Sequence, residues 1–172
     1  MNPNEPSKEN TTGILRIFVY GTLKRGYWNH DRFCRGAISI EQATVWGRLY
    51  HLPAGFPALE IPESSILAHG TADPLTDALT QQRITAETIT TIDMSRPSGD
   101  WDRIHGEIIT FAAPDRVLPP IDRLEGFRPD GRSMYRRVLV PAWNQAVVCL
   151  AWVYSMDVGS HGQRLADGVW NR

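Results

Sequence analysis

The feature that most constrains this chain is Ile14–Gly26, an apolar run that stops abruptly at a glycine. Residues 14–20 are apolar almost without interruption on both faces of an extended chain, which predicts a central β-strand. Gly21 lets other atoms approach the backbone closely, and the amides of Gly21, Thr22 and Leu23 need not join a sheet. Three successive amides in a turn form a small cup for an anion. The stretch therefore predicts either a plain strand-to-loop turn or a binding site for one carboxylate.

The bulk composition makes several function classes improbable. The chain has 172 residues and a formal net charge of −1, so we expect one domain with its own core and no nucleic-acid partner. No apolar run approaches the length of a membrane span, and we expect no membrane partner. The two cysteines, Cys34 and Cys149, are too few for a disulfide framework. We interpret them as reduced thiols in a cytoplasmic protein.

Short strands separated by turns predict an α+β fold, built as a small closed β-barrel or rolled mixed sheet with a few short helices. The predicted strands are 14–20, 43–50, 58–61 and 103–111, followed by a hairpin of 134–141 with 146–154; the predicted helices are 29–35, capped by Asn29, and 114–124. We expect a disordered tail over 1–12, one domain over 13–157, and a C-terminal tail over 158–172 with Trp170 as an anchor. Residues 64–102 have weak periodicity, and we interpret them as an insertion over the surface.

A second stretch, Ile121–Gly126, supplies an acid about a hundred residues after the loop. Glu125 stands between a leucine and a glycine at the end of an apolar helical turn. A carboxyl group partly removed from water there has a raised pKa, which suits a general base; the alternative is a solvated glutamate at a helix end. Tyr20 and Tyr135 are candidates to present phenols at the same site, or else are core aromatic residues.

Other catalytic chemistries lack their motifs. The five histidines have no His-x-x-x-His spacing and there is no Cys-x-x-Cys, so we expect no metal site. There is also no P-loop and no Gly-x-Ser-x-Gly turn. Cys34 follows a helix-like turn rather than starting a helix, so nothing predicts a lowered thiol pKa. We expect no metal and no organic cofactor.

Several short motifs, taken in order, resemble the γ-glutamylcyclotransferase-like family. They are Phe18–Gly26, Gly47–Tyr50, Gly55–Leu59, Gly106–Ile108, Asp122–Gly126, Met134–Arg136 and Ala151–Tyr154. Within that family the sequence is most similar to the avirulence-induced-gene-like branch. The resemblance runs from about residue 16 to 156, and residues 64–102 depart from it most.

The resemblance implies a compact barrel with a cavity at one end, where the Tyr20–Leu23 loop receives the α-carboxylate of a γ-glutamyl group. It places the catalytic glutamate at Glu125 and a substrate-binding tyrosine at Tyr135. The implied reaction converts a γ-glutamyl amine or γ-glutamyl amino acid to 5-oxoproline and a free amine. Glu125 acts as general acid and base, and no cofactor takes part.

Two other function classes remain open at this point. One is a binding protein on the same fold, which holds a small carboxylate or γ-glutamyl compound without turnover. The other is an interaction protein whose working surface is residues 64–102. Glu125 favours the enzyme, because a pocket that only binds a carboxylate has no use for a second buried negative charge beside its ligand.

Overall fold

The structure is a computed structural model that describes residues 13–145 and 147–171, so the tail predicted over 1–12 lies outside the described residues. Its strands are β1 Leu15–Val19, β2 Ala37–His51, β3 Pro57–Glu60, β4 Ala68–His69, β5 Asp102–Phe111, β6 Arg136–Asn144, β7 Val147–Ser155 and β8 Gln163–Arg164. Its α-helices are α1 Trp28–Phe33, α2 Pro74–Thr88 and α3 Pro114–Glu125, and a 3₁₀ turn covers Glu63–Ser65. Within the described part of the chain, no helix has the length and apolar character needed to span a membrane.

Five strands close into a barrel. Their order is β2, β5, β1, β7 and β6, and β6 returns to β2 through the pair Thr44 and Trp143. β1 lies antiparallel to β5 and parallel to β7. The predicted α+β fold with a small closed barrel is therefore confirmed.

β1 is central because both of its faces are buried. Leu15, Ile17 and Val19 pack in the layer between the barrel and the helices, while Phe18 and Tyr20 point into the barrel interior. This alternation follows from the two-residue period of a strand. Val19 and Tyr20, at the end of the strand, belong to these two layers, so the loop after β1 begins beside both of them.

α2 lies within the weakly periodic segment 64–102. Asp73 caps the helix by accepting hydrogen bonds from the amides of Leu75 and Thr76. The buried face of α2 includes two polar residues, Asp77 and Gln81. Gln81 accepts from the amide of Arg16 at 3.0 Å, at the start of β1. Because this helix buries polar side chains with fixed partners, its sequence lacks a clear apolar stripe.

A buried guanidinium joins both long helices to the barrel. Arg137 on β6 is 1% exposed. Its Nη1 lies 2.7 Å from Oδ2 of Asp77 on α2, and its Nε lies 2.9 Å from Oδ1 of Asp122 on α3. A third donor, Nη2, bonds the carbonyl of Thr71 at 3.0 Å. Two carboxylates and a carbonyl thus satisfy a charge that would otherwise be very costly to bury.

Residues 158–171 lie against the barrel. β8 pairs with β2, and the amide of His105 donates to the carbonyl of Gly168 at 2.9 Å. Trp170, the expected anchor, is 4% exposed. Its ring lies tilted against that of Tyr27, next to the loop after β1, with the ring centroids 5.5 Å apart.

We predict that Asp77→Asn lowers the free energy of unfolding by about 3 kcal/mol, because it leaves the buried Arg137 with one fewer counter-charge. The measurement is urea denaturation at neutral pH. The matched control on the same helix is Glu87→Gln, which breaks an exposed pair with Arg83 and should change stability by no more than about 0.5 kcal/mol. Equal effects of the two substitutions would contradict the importance assigned to the buried pair.

Candidate active site

The loop after β1 presents free backbone amides. A turn forms over Gly21–Lys24, with the amide of Lys24 donating to the carbonyl of Gly21 at 3.1 Å. Among the hydrogen bonds of the described residues outside helices and strands, none uses the amide of Gly21, Thr22 or Leu23 as a donor. A Cβ on Gly21 would lie 2.6 Å from Cγ of Pro57, so the close packing of this turn requires glycine.

These amides border a cavity of about 440 Å³ at the open end of the barrel. Its wall consists of residues 18–23, 28–29, 56–57, 123–126, 134–135 and 154. The structure therefore brings together all six residues singled out from the sequence: Tyr20, Gly21, Thr22, Leu23, Glu125 and Tyr135. A volume of this size suits a small molecule.

Asn29 corrects one sequence-based expectation. It does not cap α1, because the helix starts at Trp28 with Tyr27 in the cap position and no side-chain cap bond. Asn29 is instead buried, and its Nδ2 donates to Oγ1 of Thr22 at 2.8 Å. Since Thr22 accepts that bond, its own hydroxyl proton is available to another acceptor. The Oδ1 atom of Asn29 is buried and has no partner among the described residues.

The two candidate tyrosines donate their hydroxyl protons to the backbone. Tyr20 bonds the carbonyl of Tyr154 at 2.6 Å, and Tyr135 bonds the carbonyl of Pro57 at 2.7 Å. Both rings are at least 93% buried and stand in the cavity wall. Their hydroxyl groups therefore connect neighbouring segments of the cavity wall, and their rings form part of its surface.

Glu125 is the last residue of α3 and is half-buried in the cavity wall. Burial raises its pKa to about 7, and the nearby negative charge of Asp122 adds to the rise. The negative end of the helix dipole acts in the same direction. A carboxyl group with a pKa near neutrality can both accept and return a proton at physiological pH.

Asp122 fixes the end of α3 on which Glu125 stands. Its Oδ1 accepts a hydrogen bond from the hydroxyl of Tyr154 at 2.6 Å as well as one from Arg137. Gly126 then ends the helix in the left-handed conformation, at φ 66°, and the amide of Phe127 bonds the carbonyl of Asp122 at 2.9 Å. This is the usual glycine-terminated helix end, and it holds Glu125 at the cavity.

The two cations that follow the loop in sequence bind elsewhere. Nζ of Lys24 donates to the carbonyl of Trp170 at 2.8 Å. Arg25 pairs with the buried Glu107 at 3.3 Å. The charged residues in the cavity wall, as far as the chain is described, are Glu125 and Arg123.

Other chemistries find little support in the described residues. No group of three or more His, Cys, Asp or Glu side chains in them is placed to hold a metal ion. Burial raises the pKa of Cys34 to about 12, which keeps the thiol protonated and unreactive.

Sequence reasoning missed three residues of this site: Asn29, Asp122 and Arg123. Asn29 was assigned to a helix cap, because asparagine before a helix usually serves there. Asp122 and Arg123 lie within the same short motif as Glu125, so the motif located them but gave no sign of their separate contacts. Only the fold reveals that Asp122 meets an arginine on β6.

The comparisons with known proteins agree with this arrangement. A family model described as "Gamma-glutamyl cyclotransferase, AIG2-like" matches residues 17–85 and 78–172. No curated protein matches.

Two solved structures share the fold. YkqA from Bacillus subtilis is 19% identical with a TM-score of 0.54, and the match covers 91% of this chain but only 39% of YkqA. An AIG2-like protein from Mus musculus is 18% identical with a TM-score of 0.50, and the match covers 92% of this chain and 89% of the mouse chain. At these identities the likeness establishes the fold alone. The family model, in contrast, matches nearly the whole described chain, and the protein therefore belongs to the AIG2-like γ-glutamyl cyclotransferase family.

Proposed function

We propose that the protein is a γ-glutamyl cyclotransferase-type enzyme, which converts a γ-glutamyl amine or γ-glutamyl amino acid to 5-oxoproline and a free amine. The observation that carries the proposal is the position of Glu125. A carboxyl group whose pKa is about 7 stands in the wall of a small cavity, and unpaired amides stand in the same wall. Membership of the family supports the same reaction.

The loop binds the α-carboxylate of the substrate. The cavity wall contains four hydrogen-bond donors that have no acceptor among the described residues: the amides of Gly21, Thr22 and Leu23 and the hydroxyl of Thr22. A carboxylate, which only accepts hydrogen bonds, suits them. Asn29 supports the loop from behind, because its Nδ2 holds the hydroxyl oxygen of Thr22. The loop thereby recognises the α-carboxylate of the glutamyl end.

Glu125 moves the protons. As a carboxylate it takes one proton from the α-ammonium group, and the resulting amine attacks the γ-carbonyl carbon of the same molecule. The new C–N bond closes a five-membered ring, Glu125 protonates the leaving nitrogen, and the original amide bond breaks. The ring nitrogen loses its second proton and the released amine gains one, so charge and protons balance. Because the nucleophile is already tethered, the cavity contributes mainly orientation and proton transfer.

Glu125→Gln should abolish 5-oxoproline release while leaving substrate binding, because glutamine keeps the shape of the side chain but accepts no proton. The measurements are 5-oxoproline release from a panel of γ-glutamyl amines and dipeptides, and calorimetric binding of the same compounds. The control is Glu63→Gln at the surface, which should keep full activity. A wild-type protein that binds the panel without turnover would instead establish a non-catalytic binding protein.

Thr22→Val should raise KM about tenfold with a smaller change in kcat, because it removes one charge-assisted hydrogen bond to the α-carboxylate, which is worth about 1.5–3 kcal/mol. Thr22→Ser keeps the hydroxyl and should stay close to wild type. Steady-state kinetics on one γ-glutamyl substrate gives both values. An unchanged KM in the valine variant would contradict the role of the hydroxyl, and so would a serine variant that loses as much as the valine variant although it keeps the hydroxyl.

The raised pKa of Glu125 also predicts a pH-dependent stability difference. A carboxyl group whose pKa rises from 4.5 to about 7 on folding stabilises the fold below about pH 4.5, and this stability is lost as the pH rises through about 7. Glu125→Gln should therefore be more stable than wild type by about 1–3 kcal/mol at pH 8, with no gain at pH 4. Urea denaturation at the two pH values measures this, and an equal difference at both would contradict the raised pKa.

A further inference from the structure

We propose that the leaving group of the substrate is an amino acid with an apolar side chain, whose carboxylate is bound by Arg123. The inference rests on the proposed function and specifies the substrate class of that same site. It comes from the mouth of the cavity, where an apolar surface and one unpaired cation occur together.

Three large apolar side chains at this mouth are unusually exposed. The exposed fractions are 65% for Trp28, 60% for Met134 and 37% for Leu124. They come from three separate segments of the chain, yet all three line the cavity, together with the half-buried Phe56. Apolar residues that converge on a concave opening are typical of a binding surface for an apolar group.

Arg123 is the cation of this wall. It is exposed in the last turn of α3, two residues before Glu125. No ion pair of the described residues includes it, whereas Arg25 and Arg137 are both paired. A cation is favoured at the end of a helix by the helix dipole, but that preference does not account for the apolar side chains around it.

The orientation of the substrate decides which part reaches the mouth. With the α-carboxylate at the loop amides and the γ-carbonyl near Glu125, the leaving group extends past Glu125 toward Leu124 and Met134. A carboxylate on the carbon next to the leaving nitrogen would then lie close to the end of α3, where Arg123 stands. The apolar side chain on the same carbon would fill the mouth.

Other leaving groups match the charge and the apolar surface of the cavity mouth less well. A simple apolar amine leaves Arg123 without a partner. Lysine linked through its side chain carries its carboxylate five carbons from the leaving nitrogen instead of one, next to a free ammonium that repels Arg123, and it has no apolar side chain to fill the mouth. Glu125 is the one acidic residue in the described wall, and it is committed to proton transfer. An amino acid with an apolar side chain matches both the charge and the surface.

The test compares three substrates by 5-oxoproline release. They are γ-glutamylphenylalanine, γ-glutamylphenethylamine, which lacks only the second carboxylate, and ε-(γ-glutamyl)lysine. Wild type should have a kcat/KM about tenfold higher for the first than for either other compound, as expected for an arginine–carboxylate pair that the bound apolar side chain partly removes from water. Arg123→Gln should remove that advantage, mainly through KM, and leave the phenethylamine compound unchanged. Arg116→Gln, at an exposed position of α3 outside the cavity wall, should change neither.

Equal kcat/KM values for the phenylalanine and phenethylamine compounds in wild type would overturn the proposal, as would an equal loss on both in Arg123→Gln. Calorimetric binding to Glu125→Gln separates this proposal from the catalytic one. Suppose that wild type turns over none of the compounds, but that Glu125→Gln still binds the phenylalanine compound about tenfold more tightly than the phenethylamine compound. The catalytic proposal then fails and the assignment of Arg123 holds. Equal Kd values would sink the assignment whatever the turnover.

Discussion

The site depends on the buried ion pairs of Arg137. One guanidinium on β6 holds Asp77 of α2 and Asp122 of α3 at 2.7 and 2.9 Å, so both helices are fixed to the same point of the barrel. The position of α3 sets that of Glu125, three residues after Asp122. Arg137 also partly compensates Asp122, which lets a second carboxyl group stand nearby. Without this cation both helices would lose their charged contact with the barrel, and the end of α3 that carries Glu125 would lose a support.

The cavity combines two requirements that usually oppose each other. In the proposed reaction it has to accept a charged glutamyl group, and it also has to keep Glu125 in surroundings apolar enough to raise its pKa. Backbone amides suit both requirements, because in the proposed reaction they bind the α-carboxylate as dipoles and so no full positive charge is needed at the loop, where it would lower the pKa of Glu125. Lys24 and Arg25, the two cations next to the loop, are bound to Trp170 and Glu107 instead of facing the cavity.

Local patterns predicted the parts of the molecule whose structure is local. The apolar run before Gly21 gave β1 and its loop, and the short motif around Glu125 gave the helix end, because each is set by neighbouring residues. α2 escaped a clear assignment because Asp77 and Gln81, on its buried face, are satisfied by partners far away in sequence. The role of Asn29 was missed for a similar reason, since its contact with Thr22 forms only when the loop folds back on α1. Polar residues buried through distant contacts have no periodic signal in the sequence.

The hydrogen bond from Lys24 to Trp170 has a practical consequence for the choice of domain boundaries in expression. The family motifs recognisable by eye end near residue 156, and no residue beyond that point lines the cavity as far as the chain is described. Yet Lys24, immediately after the loop, is held by the carbonyl of Trp170, 146 positions away in sequence. A shortened chain that ends at the last motif would keep every residue of the cavity wall. It would nevertheless lose Trp170, and with it the hydrogen bond that holds Lys24 next to the loop amides. The minimal functional unit is thus longer than its motifs.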